Sequence, residues 1–233
     1  MTRAVRRRSP MTPRRAALAM LGALLLAGPA LADGECAGEV AERVQRHYES
    51  VRDLRARFAQ RSERVALGGQ GGSALEATGE VVFAKPGRMR WSYESPEPSL
   101  VVSDGKTLWI HDPQAHEVQE LPLGPDFLSG AALQFLLGEG RLLEAFEVSA
   151  RHCGEPEVEL VLVPRKDAHY ERLGLRVDPA RGAVRETEVL DLLGNRTVVA
   201  IRDVRVNTGP EAALFRFDAP PGTRVLSIPP AGP

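Results

Sequence analysis

Residues 85–113, KPGRMRWSYESPEPSLVVSDGKTLWIHDP, decide the class of fold. Met89, Trp91 and Tyr93 alternate with polar residues, which is the period of a strand with one apolar face. Asp104-Gly105 separates two further apolar runs and predicts a tight β-hairpin turn. The stretch therefore predicts consecutive antiparallel strands, one of which carries aromatic side chains on a single face.

Strand patterns also dominate the rest of the chain, with turn residues such as Pro164 and Gly182 between them. Strands are predicted at 54–59, 77–84, 88–94, 99–103, 107–112, 116–121, 157–163, 170–177, 183–190, 197–206 and 213–217. Because most of them follow one another without an intervening helix, we predict a mainly β protein with an antiparallel sheet.

Two segments have helical patterns. Residues 36–51 place Val40, Val44 and Tyr48 on one apolar stripe. Residues 125–146 are apolar nearly all round in their first half, and such a helix must be buried on more than one side. We therefore expect this second helix to lie across the open face of a strongly curved sheet.

The N-terminal residues predict export. Residues 1–32 contain six arginines, no acidic residue, an apolar run and the small-residue pattern Ala30-Leu31-Ala32. This is the pattern of a cleaved signal peptide, followed by a single domain at 33–233 in the periplasm. A retained membrane anchor fits less well because the apolar run is short, and the flanking residues favour the general export route over the twin-arginine route.

Charge excludes two classes of partner. Removal of the six signal arginines leaves 24 basic against 31 acidic groups, a formal charge of −7. Nucleic acids require clustered Lys and Arg, so we expect no nucleic-acid binding. Attachment to anionic lipid headgroups by charge alone is equally unexpected.

The chain has two cysteines, Cys36 and Cys153. In an exported protein an even number favours a disulfide. Lipidation of Cys36 would require a small residue immediately before it and an apolar one further back, and the residues present are Asp33, Gly34 and Glu35. We therefore predict a disulfide between Cys36 and Cys153.

No motif predicts catalysis, a metal or a cofactor. His111 and His116 flank a turn without an acidic or thiol ligand nearby in sequence. The glycines of 68–73, GGQGGS, lack the lysine of a phosphate loop and fit a flexible hairpin tip. We therefore expect a protein that is not an enzyme.

The face formed by Met89, Trp91 and Tyr93 allows two interpretations. Aromatic stripes usually form the packed core of a sandwich. However, about ten strands with only two helices leave the concave face of a curved sheet incompletely filled, and the remaining space would be an apolar cavity for a lipid-like ligand.

The stretch 85–113 resembles the periplasmic outer-membrane lipoprotein carrier (LolA) family. That family has a basic residue and Pro after a strand, an aromatic-alternating strand, and a Ser-Asp-Gly-Lys hairpin that ends in Asn/Asp-Pro. LRARFAQ at 54–60, the apolar segment 131–139 and LFRFDAPPG at 214–222 are similar to three other family motifs in matching order.

The resemblance implies an unclosed antiparallel β-barrel with a helical lid over an apolar concave face. It implies a monomeric carrier that takes acylated lipoproteins from an inner-membrane transporter to an outer-membrane acceptor, without a cofactor. A carrier of another lipid or lipid-linked precursor, or a sensor domain of the same fold, remains an alternative.

The resemblance also assigns roles to individual residues. The lid latch of the family corresponds to Lys85, where the family has Arg, and a lysine is a point charge without the planar fork of donors. The residues expected to contact acyl chains are Phe58, Met89, Trp91, Tyr93, Leu133, Leu136 and Leu137.

Overall fold

A computed structural model describes residues 29–65, 74–122 and 140–228, with side chains from residue 34 onward. The helices are α1 (Pro29–Ser50), α2 (Leu142–Ala145) and a 3-10 turn (Ala212–Phe215). The strands are β1 (Asp53–Glu63), β2 (Ala74–Ala84), β3 (Arg88–Ser95), β4 (Ser99–Asp104), β5 (Thr107–Asp112), β6 (Glu117–Pro122), β7 (Phe146–Arg151), β8 (Val158–Pro164), β9 (Tyr170–Asp178), β10 (Ala183–Asp191), β11 (Arg196–Val206) and β12 (Arg224–Ser227).

These strands form one sheet in the order β12-β6-β5-β4-β3-β2-β1-β11-β10-β9-β8-β7. Neighbouring strands are antiparallel, except that β12 pairs with β6 in parallel. β12 and β7 are the two edges of the sheet as described, so it is not closed into a barrel. The prediction of a mainly β, unclosed antiparallel sheet with few helices is confirmed.

The β-hairpin predicted at Asp104-Gly105 joins β4 to β5. The Asp104 carboxylate accepts hydrogen bonds from the backbone N–H groups of Lys106 and Thr107, each at 2.8 Å. An aspartate that bonds to its own turn in this way explains why the sequence signal was reliable.

One predicted strand is wrong. Residues 213–217 were expected to form a strand, but the chain instead makes the 3-10 turn and continues without pairing. Phe215 is buried there with Val82 and Ala84 on the convex face of the sheet. The apolar residues that suggested a strand therefore pack across the sheet and do not join its ladder.

The predicted helix at 125–146 is only partly described. Its last turn is helical as α2, and Phe146, expected at its end, begins strand β7. Gly140 and Arg141 are described and lie outside the helix, whereas residues 123–139, including the predicted lid residues Leu133, Leu136 and Leu137, lie outside the described residues. The Gly-rich segment 68–73 lies outside them as well.

The predicted helix at 36–51 corresponds to α1, which begins earlier, at Pro29. Its buried residues belong to the main core, and it packs against β7, β8 and β10.

The two ends of the sheet are named by their position relative to α1. The helix end lies beside the C-terminus of α1, at residues 50–53, 85–87, 178–183 and 206–209. The opposite end, at residues 63–65, 74–75, 95–99 and 191–196, is called the far end.

Candidate functional site

The concave face of the sheet carries the apolar side chains predicted for it. In the register of β2 and β3, Met89 lies opposite Phe83, and Trp91 lies opposite Val81. Phe58 on β1 lies opposite Gly79 on β2. The period of two in β3 therefore sends its aromatic residues to the same face as the core.

Four aromatic rings meet on this face. The Phe58 ring lies 4.9 Å from that of Trp91 and 5.0 Å from that of Tyr93, centroid to centroid, both edge-on. Phe83 meets Trp91 edge-on at 5.7 Å. Edge-to-face contacts of this kind hold the rings in defined positions beyond what burial alone provides.

The cluster differs in exposure along its length. Phe58 and Met89 are each 3% exposed, whereas Trp91 and Tyr93 are half-buried. Half-buried apolar residues on neighbouring strands extend the same surface. This surface, called the concave strip below, consists of Trp91, Tyr93, Val101, Ile110, Leu121, Val199 and Ile201.

Polar groups on the concave strip are few. The Tyr93 hydroxyl donates to the Gln60 side-chain oxygen at 3.2 Å. Burial raises the pKa of Tyr93 above its ordinary value, so this hydroxyl is neutral at physiological pH. The strip therefore presents rings and aliphatic groups without a charged side chain among its named members.

Gly79 makes room for the Phe58 ring. A Cβ placed on Gly79 would lie 2.8 Å from Cε1 of Phe58 and would also collide with the Ser92 carbonyl group. The pairing of β2 with β3 shifts register between Thr78 and Gly79. Glycine within a strand often marks such a close approach, and here it allows β3 and the Phe58 ring to come together.

Helix α1 covers the part of the concave side formed by β7 to β10. Its N-terminal half is joined to the β7–β8 turn by a disulfide between Cys36 and Cys153, whose Cα atoms are 6.3 Å apart. Disulfides are typical of compartments outside the cytoplasm. In the described residues there is no free cysteine.

The C-terminal half of α1 lies directly on the β9–β10 turn. Gly182 has φ +69°, and a Cβ there would meet the backbone of Arg43 and Val44. The Tyr48 hydroxyl accepts a hydrogen bond from the backbone N–H of Val184 at 3.2 Å. Burial raises the pKa of Tyr48 to about 12.

Lys85, predicted as a lid latch, bonds to α1. Its ammonium group donates to the carbonyl oxygen of Tyr48 at 2.7 Å, at the C-terminus of the helix. A cation there also complements the negative end of the helix dipole. Burial lowers the pKa of Lys85, and the Glu49 carboxylate opposes this shift. The latch role remains a prediction because it concerns residues outside the described part.

Two turns of the family motif, Lys85-Pro86-Gly87 and Ser103-Asp104-Gly105, lie against each other at the helix end. Gly87 and Gly105 both have positive φ, and a Cβ on either would press on the backbone of the other turn at 3.0–3.1 Å. The fully buried Ser103 hydroxyl donates to the Gly87 carbonyl and accepts from the Gly105 N–H. The two motifs thus form one packed unit that positions Lys85.

The C-terminal family motif, residues 214–222, packs on the convex face of the sheet. The Arg88 guanidinium lies 5.2 Å from the centroid of the Phe215 ring, and Arg90 donates to the Leu214 carbonyl at 3.2 Å. Trp109 stacks on Phe217, with centroids 6.3 Å apart. The two tryptophans therefore lie on opposite faces, and only Trp91 belongs to the concave strip.

Of the residues predicted to contact acyl chains, the structure brings Phe58, Met89, Trp91 and Tyr93 together. Sequence reasoning missed Phe83, Gly79 and Gln60. The alternation of Phe83 with Val81 along β2 could have identified Phe83 as a residue of the concave face. The importance of Gly79 depends on the register between strands, which the sequence does not give.

No group of His, Cys, Asp and Glu suited to a metal ion occurs in the described ranges. Within the same ranges, the helices are too short or too polar to cross a membrane.

The described residues form one unclosed sheet with an apolar concave strip and a covering helix. The family model described as outer membrane lipoprotein carrier protein LolA matches residues 49–218. The outer-membrane lipoprotein carrier protein of Azotobacter vinelandii is 31% identical over 186 residues, which cover 79% of this chain and 86% of the relative. That of Chromohalobacter salexigens is 32% identical over 202 residues, covering 86% and 92%. The chain belongs to the LolA family of outer-membrane lipoprotein carriers.

Among solved structures, the LolA superfamily protein NE2245 of Nitrosomonas europaea aligns with a TM-score of 0.44 at 12% identity, covering 78% of this chain and 97% of that one. This likeness is too distant to bear on function. Carriers bind and release a cargo without converting it, so membership in the family makes this chain a non-enzymatic binding protein.

Proposed function

We propose that this protein carries acylated lipoproteins across the periplasm, from an inner-membrane transporter to an outer-membrane acceptor. The observation that carries the proposal is the half-buried concave strip around Trp91 and Tyr93, in a chain of the lipoprotein-carrier family. Residues 1–32 act as the signal peptide for export, and the disulfide fits that compartment.

The energetics favour a carrier with such a surface. Each acyl CH₂ in water costs about 0.8 kcal/mol, so a long acyl chain does not cross an aqueous space unaided. The hydrophobic effect is non-directional, so an apolar surface holds chains of different length without a specific hydrogen-bond pattern. A cargo held in this way is also released once a better apolar environment is offered.

A matched pair of tryptophan substitutions tests the proposal. Trp91→Gln places a polar amide in the concave strip, and Trp109→Gln makes the same change on the convex face, where Trp109 contacts Phe217. Binding of a fluorescent fatty-acyl probe should weaken about tenfold or more in Trp91→Gln and stay near wild type in Trp109→Gln.

Thermal unfolding of both variants controls for loss of the fold. Equal probe binding by Trp91→Gln and wild type would exclude the concave strip as the acyl site. Mass spectrometry of lipid and protein extracted with the protein from the periplasm identifies the cargo. Recovery of a lipid that is not protein-linked would replace lipoprotein by another lipid as the cargo.

A further inference from the structure

The most exposed large hydrophobic side chains of the described residues gather at one place. Leu193 is 80% exposed, Leu192 66%, Val65 58% and Leu75 52%, and the next in order is at 45%. All four lie at the far end of the sheet, where β1, β2, β10 and β11 begin or end. We call these four residues the leucine tip.

Hydrogen bonds fix the turn between β10 and β11, which carries Leu192 and Leu193. The Asp191 carboxylate accepts hydrogen bonds from the backbone N–H groups of Leu193 and Asn195, each at 2.8 Å, and from the Asn195 side chain at 2.7 Å. The Asn195 side-chain oxygen in turn accepts from the Val65 N–H at 3.0 Å. The turn is therefore fixed on β1, and its two leucines are presented to solvent.

The concave strip leads toward the same end. Along β1 the inward positions run from Phe58 through Gln60 to Ser62, whose hydroxyl is 3.3 Å from that of Thr197. Along β3 they run from Met89 through Trp91 to Tyr93 and approach the far end. The C-terminus of α1 occupies the opposite end of the sheet.

Several charged residues behind the leucine tip form ion pairs. Arg196 pairs with Glu188 at 2.7 Å and with Glu63 at 3.8 Å, and Arg61 pairs with Glu63 at 2.8 Å. A surface of this kind has no strong preference for a charged partner. Four protruding apolar side chains are also few beside the 20–30 residues that a stable protein interface contributes from each partner.

We propose that the leucine tip inserts into the interfacial region of a phospholipid bilayer and so places the far end of the concave strip against the membrane. This inference rests on the proposed function, because a carrier of acyl chains gives and takes its cargo at membranes. Contact at the far end shortens the path of an acyl chain through water, and water exposure is what opposes transfer. The contact is weak and reversible, since it buries only a few side chains.

Vesicle co-sedimentation of the protein recovered from the periplasm tests the proposal. Vesicles of phosphatidylcholine provide an apolar surface without net charge. The wild type should bind them, and Leu192→Ser/Leu193→Ser should lower the partition coefficient about tenfold or more. The matched control is Val225→Ser/Leu226→Ser, which removes another exposed apolar pair, on the edge strand β12, and should leave vesicle binding unchanged.

Several results would overturn the inference. These are the absence of wild-type binding to phosphatidylcholine, equal binding by the leucine variant, or binding only to anionic vesicles that disappears at about 0.5 M NaCl. Dimerisation that depends on the leucines, without vesicle binding, would assign the tip to a second copy of the chain.

The fatty-acyl probe separates this inference from the proposed function. Normal probe binding by Leu192→Ser/Leu193→Ser together with lost vesicle binding supports both. Normal probe binding without wild-type vesicle binding rejects the membrane contact alone, and failure of the wild type to bind the probe rejects the carrier function.

Discussion

Replacement of Gly79 by alanine tests most directly how β2, β3 and the Phe58 ring pack together on the concave face. The added methyl group would lie 2.8 Å from Cε1 of Phe58 and 2.9 Å from the Ser92 carbonyl carbon, and closer still to the carbonyl oxygen. The Phe58 ring can rotate away from it. The Ser92 carbonyl belongs to β3, which is paired on both sides, so it moves only if the ladder moves.

The cost follows from overpacking against backbone. Inserting a methyl group into a packed core costs about 1–3 kcal/mol, and contact with a fixed carbonyl favours the upper part of that range. Alanine returns about 0.5–1 kcal/mol because glycine loses more conformational freedom on folding. We therefore expect Gly79→Ala to lower the free energy of unfolding by about 1–2 kcal/mol, or the melting temperature by about 2–8 °C.

Gly174→Ala is the matched control. Gly174 is also a strand glycine, but a Cβ there meets only the Glu188 side chain, at 3.2 Å. The nearest atom is the Glu188 Cβ, which needs to give by only a few tenths of an ångström, so the free energy of unfolding should change by less than about 0.5 kcal/mol.

Urea unfolding of both variants gives the two free energies, and near-UV circular dichroism reports the aromatic cluster. Gly79→Ala should also alter the aromatic spectrum, because Phe58 contacts Trp91 and Tyr93. If Gly79→Ala were as stable as Gly174→Ala and its spectrum unchanged, the close approach of β2, β3 and Phe58 would be refuted.

Two further predictions concern the attachment of α1. Lys85→Met removes the donor to the Tyr48 carbonyl, so we expect a loss of about 0.5–1.5 kcal/mol in the free energy of unfolding and faster hydrogen exchange at residues 48–51. Lys85→Arg should stay closer to wild type, and unchanged exchange in Lys85→Met would argue against the contact. Cys36→Ala/Cys153→Ala opens a loop closed over a separation of 117 residues, and should cost about 2–5 kcal/mol of unfolding free energy in urea titrations. Two reactive thiols in the unreduced, denatured wild type would contradict that pairing.

Local patterns in the sequence were sufficient for most of the sheet. The alternation of Met89, Trp91 and Tyr93 depends only on the period of a strand, and the Asp104-Gly105 turn depends on bonds within four residues. Both signals are contained in short stretches of chain. These two predictions were confirmed.

Failures occurred where distant segments decide the outcome. Phe215 has the composition of a strand residue, but it packs on Val82 and Ala84, more than 100 positions earlier in the chain. Gly79 is similar, because its meaning depends on the register that places Phe58 and Ser92 beside it. The periodicity of one segment gives no information about which strand it pairs with. It therefore does not distinguish a strand from an extended segment that lies across a sheet.

Helix α1 is attached to the sheet near both of its ends. This attachment limits which parts of the protein can move when a cargo binds. The disulfide fixes its N-terminal half to the β7–β8 turn, while Lys85, Gly182 and Val184 fix its C-terminus. Opening α1 would break a buried hydrogen-bonded contact and expose core residues, whereas Trp91 and Tyr93 are already half-exposed. Within the described part of the chain, the side chains of the concave strip are therefore the least costly to rearrange around an acyl chain, and α1 forms a fixed wall.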